Sequence, residues 1–139
     1  MPSDFIQKVI DTYNSHEIQR FDALLTDDCV LVRNGEGAVG RDAVKKVLAK
    51  LYAAFPDITY RIEDVITSGD KVALRWLGEA THRGAYLGVP ATGRSIRYGG
   101  ITVFERAGER ISRIWVSADM LDLMRKLTSM PVTRPEARA

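Results

Sequence analysis

The hydrophobic spacing of this chain changes once, at Phe55-Pro56-Asp57, and that change constrains the fold more than any single motif. Ahead of it apolar residues recur three and four apart, and beyond it they alternate. Phe5, Ile6, Val9, Ile10 and Tyr13 follow Pro2-Ser3-Asp4 and predict a first amphipathic helix, with Ser3 or Asp4 as its cap. Ile18, Phe21, Leu24 and Leu25 predict a short second helix after the break at Asn14-Ser15-His16. Cys29 to Arg33 is apolar and β-branched enough for a strand, closed by Asn34-Gly35-Glu36-Gly37. Val44, Val47, Leu48, Leu51, Tyr52 and Phe55 then give the clearest helical stripe, which Pro56-Asp57 stops.

Past that point Ile58, Tyr60, Ile62 and Ile66 alternate with polar neighbours up to the turn Ser68-Gly69-Asp70. The next strand carries Val72, Leu74, Trp76, Gly78, Ala80 and His82 on its inward face. A third long strand presents Ile96, Tyr98, Gly100, Thr102 and Phe104 inward, and a fourth Ile111, Arg113, Trp115, Ser117 and Asp119. The link at residues 83–93 has Gly84, Gly88, Pro90 and Gly93 around Tyr86, Leu87 and Val89; it is too long for a minimal hairpin and suits a lid. Met120, Leu121, Met124 and Leu127 predict a last short helix, and residues 129–139 a tail without fixed structure. The expected fold is α+β: a strongly curved, mostly antiparallel sheet forms a conical barrel around the N-terminal helices and encloses a hollow. Leu77, Ile101, Val103, Ile114 and Val116 would leave the outward face too apolar for water alone, so a homodimer is expected.

A chain of 139 residues has room for one domain, taken as residues 1–128. The net charge of +2 is misleading. Arg125, Lys126, Arg134 and Arg138 face only Glu136 near the C-terminus, so the rest is slightly acidic and carries no phosphate-binding stripe. No apolar run approaches the roughly 18 residues of a membrane span, and the N-terminus lacks a secretory pattern. With the lone Cys29, these features favour the cytoplasm. His16, His82 and Cys29 show no metal-ligand spacing. Gly35, Gly37 and Gly40 read as G-x-G-x-x-G, yet no βαβ unit follows, so the segment is expected to be a flexible loop. No metal and no cofactor is expected.

Phe55-Pro56-Asp57, Gly69-Asp70-Lys71-Val72-Ala73, Thr81-His82-Arg83-Gly84, the run from Tyr86 to Arg94, and Trp115 followed by Asp119 resemble the SnoaL-like polyketide cyclases. The resemblance covers most of residues 5–127, and its most specific stretch runs from Thr81 to Arg94. It implies the conical fold named after nuclear transport factor 2, and a cofactor-free, metal-free intramolecular aldol closure of an aromatic polyketide ring. An aspartate near the end of the last long strand would be the acid/base, and Asp119 matches that position. Many members carry a His just before the Trp of that strand, where this chain has Ile114; related proteins on the fold act as hydroxylases, isomerases, dehydratases or binders.

The carbon between two carbonyls is acidic enough for one carboxylate to deprotonate, and the alkoxide formed by ring closure needs a proton or a donor. Asp119 is the candidate base, and desolvation at the mouth of an apolar cone favours the protonated form of a carboxyl group. An Asp ahead of Met120-Leu121 is equally a helix N-cap. His82 is either a donor to the ligand or a hydrogen-bonded core histidine, and His16 reads as a cap or surface residue. Trp76, Tyr98 and Trp115 suit stacking on a flat polycyclic substrate, or plain core packing. Tyr13 and Asn34 would add polar contacts, Asn34 being equally a turn residue. Asp64 and Glu105 are competing carboxylates, Asp64 facing inward unless a bulge resets its strand and Glu105 facing outward. Besides the cyclase, an isomerase or hydroxylase on the same fold and a non-catalytic hydrophobic-ligand-binding dimer remain open.

Overall fold

The structure, a computed structural model, describes residues 4–128. The expected C-terminal tail lies outside the described residues. Helix α1, Asp4–Ser15, buries Phe5, Ile6, Val9 and Thr12 along one stripe. A 3-10 turn at Ile18–Arg20 runs into the single turn of α2, Phe21–Leu24. Strand β1, Leu25–Arg33, continues through Asn34-Gly35 into β2, Glu36–Val39. Both turn residues have positive φ, 49° and 89°, which Asn-Gly tolerates and a two-residue hairpin demands. The glycine-rich segment is therefore a hairpin with Gly40 leading into α3, Arg41–Ala54, and not the flexible loop expected from its composition.

Four long strands follow: β3, Thr59–Ser68; β4, Lys71–Thr81; β5, Ser95–Ala107; and β6, Arg110–Ala118. Helix α4, Met120–Thr128, buries Leu123 and Leu127. The six strands form one sheet in the order β2-β1-β6-β5-β4-β3. Only β1 and β6 pair in parallel; the other neighbours are antiparallel. The sheet is thus mixed and open, a curved wall and not a closed barrel. Val9 of α1 and Val44, Leu48 and Leu51 of α3 share one core with Leu74, Trp76, Phe104 and Ile114 of the sheet.

Two bulges decide which side chains enter that concavity. On β3, Ile62 opposes Trp76 and Asp64 opposes Arg75, so Glu63 is an extra residue. Asp64 is turned to the outer face, and Ile66, expected inside, is 65% exposed. On β6, Arg113 opposes Glu105 and Ile111 opposes Arg106, so Ser112 is extra; its hydroxyl donates to the Glu105 carbonyl at 3.1 Å. Ile111 and Ile114 are consequently both buried. Trp115 pairs with Val103 on the outer face, where the Lys71 and Arg113 cations lie 5.6 and 5.5 Å from its ring centre. This corrects two expectations: Trp115 does not face inward, and Ile114 and Val116 do not belong to the outer surface.

The link between β4 and β5 is tied down at its start. His82 N–H donates to the Arg94 carbonyl, Gly93 N–H to that of His82, and Arg83 and Gly84 N–H to that of Ala54 at the end of α3, all within 2.8–3.1 Å. A Cβ on Gly84 would stand 2.4 Å from the Ala53 carbonyl oxygen, so only glycine permits this docking.

Candidate functional site

The concave side of the sheet and the helices laid across it enclose a cavity of about 620 Å³ counted out to its open mouth, with about 50 Å³ of clear space inside. Its apolar wall combines Ile10 of α1, Leu48 of α3, Leu74 of β4, Phe104 of β5 and Ile114 and Val116 of β6. Polar atoms enter through Tyr13, Arg33, Tyr60, Trp76 and Thr102. The Trp76 indole N–H is already used, donating to Thr102 Oγ1 at 2.9 Å. Tyr60 and Tyr98 stand edge-on to Trp76, with ring centres 5.3 and 5.5 Å away, and Tyr13 stands edge-on to Tyr60 at 5.9 Å. These contacts fix an aromatic lining at offsets that rings favour.

Burial raises the phenols of Tyr13, Tyr60 and Tyr98 above the ordinary tyrosine range, so all three keep their protons at neutral pH. They can donate hydrogen bonds and cannot act as bases. Arg33 closes β1 at the same end, its guanidinium donating to Tyr86 Oη at 3.1 Å. Burial alone would favour loss of its charge, but the oxygens of Tyr86, Tyr98 and Tyr60 outweigh this and raise its pKa. Arg33 was not among the candidates drawn from the sequence. Period two along β1 places Cys29, Leu31 and Arg33 on one face, and that parity was the signal that would have found it.

Of the expected residues, the structure brings Tyr13 and Trp76 together at the cavity wall. Tyr98 is buried behind them against Trp76. Asn34 is an exposed turn residue whose Oδ1 accepts from Ala118 N–H at 3.0 Å, tying β1 to the end of β6. His82 is fully buried outside the cavity lining, its Nδ1 accepting from Thr92 N–H at 3.2 Å and lying 3.0 Å from Thr92 Oγ1. Desolvation lowers its pKa and keeps the ring neutral. His16 stacks on Tyr52 at 4.7 Å. Asp119 is exposed, and its Oδ1 accepts from Asp122 N–H at 3.1 Å, an N-cap of α4. Its backbone N–H donates to Gly99, so it stands where β6 leaves the sheet. Asp119 is therefore open to solvent and not desolvated by Trp115, which lies on the other face. Among the described residues no group of three or more His, Cys, Asp or Glu side chains is placed to hold a metal ion.

An open cone of sheet and helix around an aromatic-walled cavity is the nuclear transport factor 2-like fold. The chain belongs to the SnoaL-like polyketide cyclase family, whose model matches residues 3–127. Among solved structures, one from Acidithiobacillus ferrooxidans named as a polyketide cyclase is 28% identical with a TM-score of 0.81, covering 91% of this chain and 96% of that one. IdmH from Streptomyces antibioticus, also named as a polyketide cyclase, is 26% identical with a TM-score of 0.78, covering 91% and 98%. AclR from Streptomyces galilaeus, named as a hydroxylase, is 22% identical with a TM-score of 0.80, covering 93% and 82%, and shares the fold. No curated protein matches the chain.

Proposed function

We propose that this protein is a cofactor-independent cyclase that closes a ring of an aromatic polyketide intermediate by intramolecular aldol addition. The observation that carries the reading is the apolar, aromatic-lined cavity inside the cone; the carboxylate assigned to it is Asp119, at the end of β6. Among the described residues Asp119 Oδ2 has no hydrogen-bond partner, Oδ1 being taken by the cap. From the rim, Asp119 would take a proton from the carbon between two carbonyls of a ligand seated among Tyr13, Tyr60 and Trp76. The carbanion adds to a second carbonyl, one C–C bond forms, and the proton returns to the new alkoxide, leaving the formula unchanged. His82 is not assigned the donor role expected of it, because it does not line the cavity.

The narrow clear space favours a flat, ring-sized reacting portion inside, with the remainder of a polycyclic substrate toward the mouth. Leu77, Ile101, Val103 and Trp115 on the outer face support the homodimer reading, and the single buried thiol of Cys29 suits a cytoplasmic setting. No helix of the described residues is long and apolar enough to cross a membrane. Light scattering tests the dimer: a mass near 15.5 kDa at micromolar concentration would rule it out.

One observation favours a second reading: among the described residues no carboxylate or imidazole lines the cavity, and Asp119 is both exposed and engaged as a cap. On that reading the protein binds a hydrophobic small molecule without turnover. Asp119→Asn separates the two, because asparagine keeps the cap and removes the base. The cyclase reading expects the variant to fold and bind normally while turnover of aromatic β-keto esters falls about a hundredfold or more. Mass spectrometry reads the outcome: an isomeric product made equally by both proteins excludes Asp119 as base. A product gaining oxygen would move the assignment to a hydroxylase, an activity borne in name by AclR.

A further inference from the structure

Arg33 differs from Arg41 and Lys45, two other half-buried cations, in what it faces. Arg41 is held by Asp22 and Asp27 at 3.5 and 2.9 Å, and Lys45 by Asp22 at 2.7 Å. Among the described residues no carboxylate pairs with Arg33, whose partners are phenols alone. Burial keeps the phenols of Tyr60 and Tyr98 protonated, and no carboxylate of the described residues offsets the guanidinium charge. Next to it, the buried hydroxyl of Tyr98 makes no hydrogen bond of good geometry, its polar neighbours being the Arg33 guanidinium and the Tyr60 hydroxyl. A partly desolvated cation without a carboxylate counter-ion, beside a poorly bonded hydroxyl, costs stability unless something supplies a better acceptor. Since Arg33 lines the cavity, the missing group can come from a ligand.

We infer that the cavity is an oxyanion site, in which Arg33 receives a carboxylate or enolate oxygen of an aromatic ligand whose ring lies among Tyr13, Tyr60 and Trp76. The inference rests on the proposed function for the aromatic, carbonyl-bearing nature of the ligand, and adds that the bound form carries a negative charge. Tyr86 steadies the guanidinium, and Tyr98 is a positioning residue behind it. In a wall otherwise built of Leu, Ile, Val and Phe, a charge-assisted hydrogen bond has little competition from water. Arg33 would thus fix the orientation of a bound ligand, its anionic oxygen toward the guanidinium.

The test is calorimetric titration of the full chain with benzoate, its neutral isostere benzamide, and 1,3-indandione at mildly alkaline pH, where the diketone is enolised. In the wild type, at least one of the two anions should bind about tenfold or more tighter than benzamide. A preference for benzoate alone marks a carboxylate ligand, and one for indandione an enolate. Arg33→Met should bring the anions down to the benzamide level, Arg33→Lys should retain part of the preference, and Tyr98→Phe should weaken the anions about threefold without changing benzamide. Anions and benzamide binding equally to the wild type, a preference that survives Arg33→Met, or no binding by any of the three overturns the inference. The wild-type comparison stands even if a variant fails to fold. Because these titrations read binding and not turnover, an unchanged activity of Asp119→Asn would remove the cyclase reading while leaving an observed anion preference intact.

Discussion

Trp76 and Trp115 sit two strands apart on opposite faces of one sheet, and their surroundings differ in kind. Trp76 is nearly buried, donates its N–H to Thr102, and is braced edge-on by Tyr60 and Tyr98. Trp115 is half-buried, with two cations near its ring. The inner indole depends on partners placed to within an ångström, so substitutions around it should be felt strongly. The outer one rests on long, hydrated side chains, and substitutions there should be felt weakly.

The largest effect should come from Gly100→Ala. A Cβ there would stand 2.5 Å from Trp76 Cζ2 and 2.8 Å from the Ser117 carbonyl oxygen, so the indole must move or the strands must part. A loss of about 3 kcal/mol in urea unfolding is expected; a loss under about 1 kcal/mol would show that the inner packing is looser than described. Thr102→Val comes next: it keeps the shape and leaves the Trp76 N–H buried without an acceptor, for about 1–2 kcal/mol.

His82 offers a smaller test of the same dependence on buried surroundings. Its folded-state pKa lies below the ordinary value of about 6.5 because burial disfavours the charged ring. The unfolded chain therefore binds the proton first. Its contribution to stability is complete above about pH 6.5 and is lost as the pH falls toward the folded value. Melting temperature should decline across that window in the wild type and decline less in His82→Asn; identical pH profiles would count against a buried neutral imidazole. Smallest of all, Lys71→Ala beside Trp115 should cost no more than about 0.5 kcal/mol, and a larger loss would mean that the outer face is more tightly organised than its exposure suggests.

The same two tryptophans show how far the residues could be read before the fold was known. On β4 and β5 strict alternation placed Trp76, Tyr98 and Thr102 on the core side, where they lie, because these strands pair without a register break. On β6 the alternation counted from Ile111 put Trp115 inside, and the extra residue Ser112 reversed everything beyond it. A bulge leaves no mark in side-chain periodicity over so few residues, since serine is unremarkable on either face. Glu63 did the same to Asp64 and Ile66. Arg33 was missed for a different reason: a charged residue at the end of a strand reads as solvent-facing, even though its parity with Cys29 and Leu31 puts it on the face that lines the cavity. Asn34-Gly35 carried its hairpin signal openly, but the competing glycine pattern drew the segment toward a loop.

The account stands on the ligand lying inside the cone, against Trp76 and away from Trp115. Titrating ethyl benzoylacetate, an aromatic β-keto ester, into Trp115→Phe leaves Trp76 as the one tryptophan of the chain, and its fluorescence reports on the cavity alone. The wild-type quench should be retained in that variant with an unchanged dissociation constant. A quench that disappears with Trp115 would place the ligand on the outer face and contradict the account.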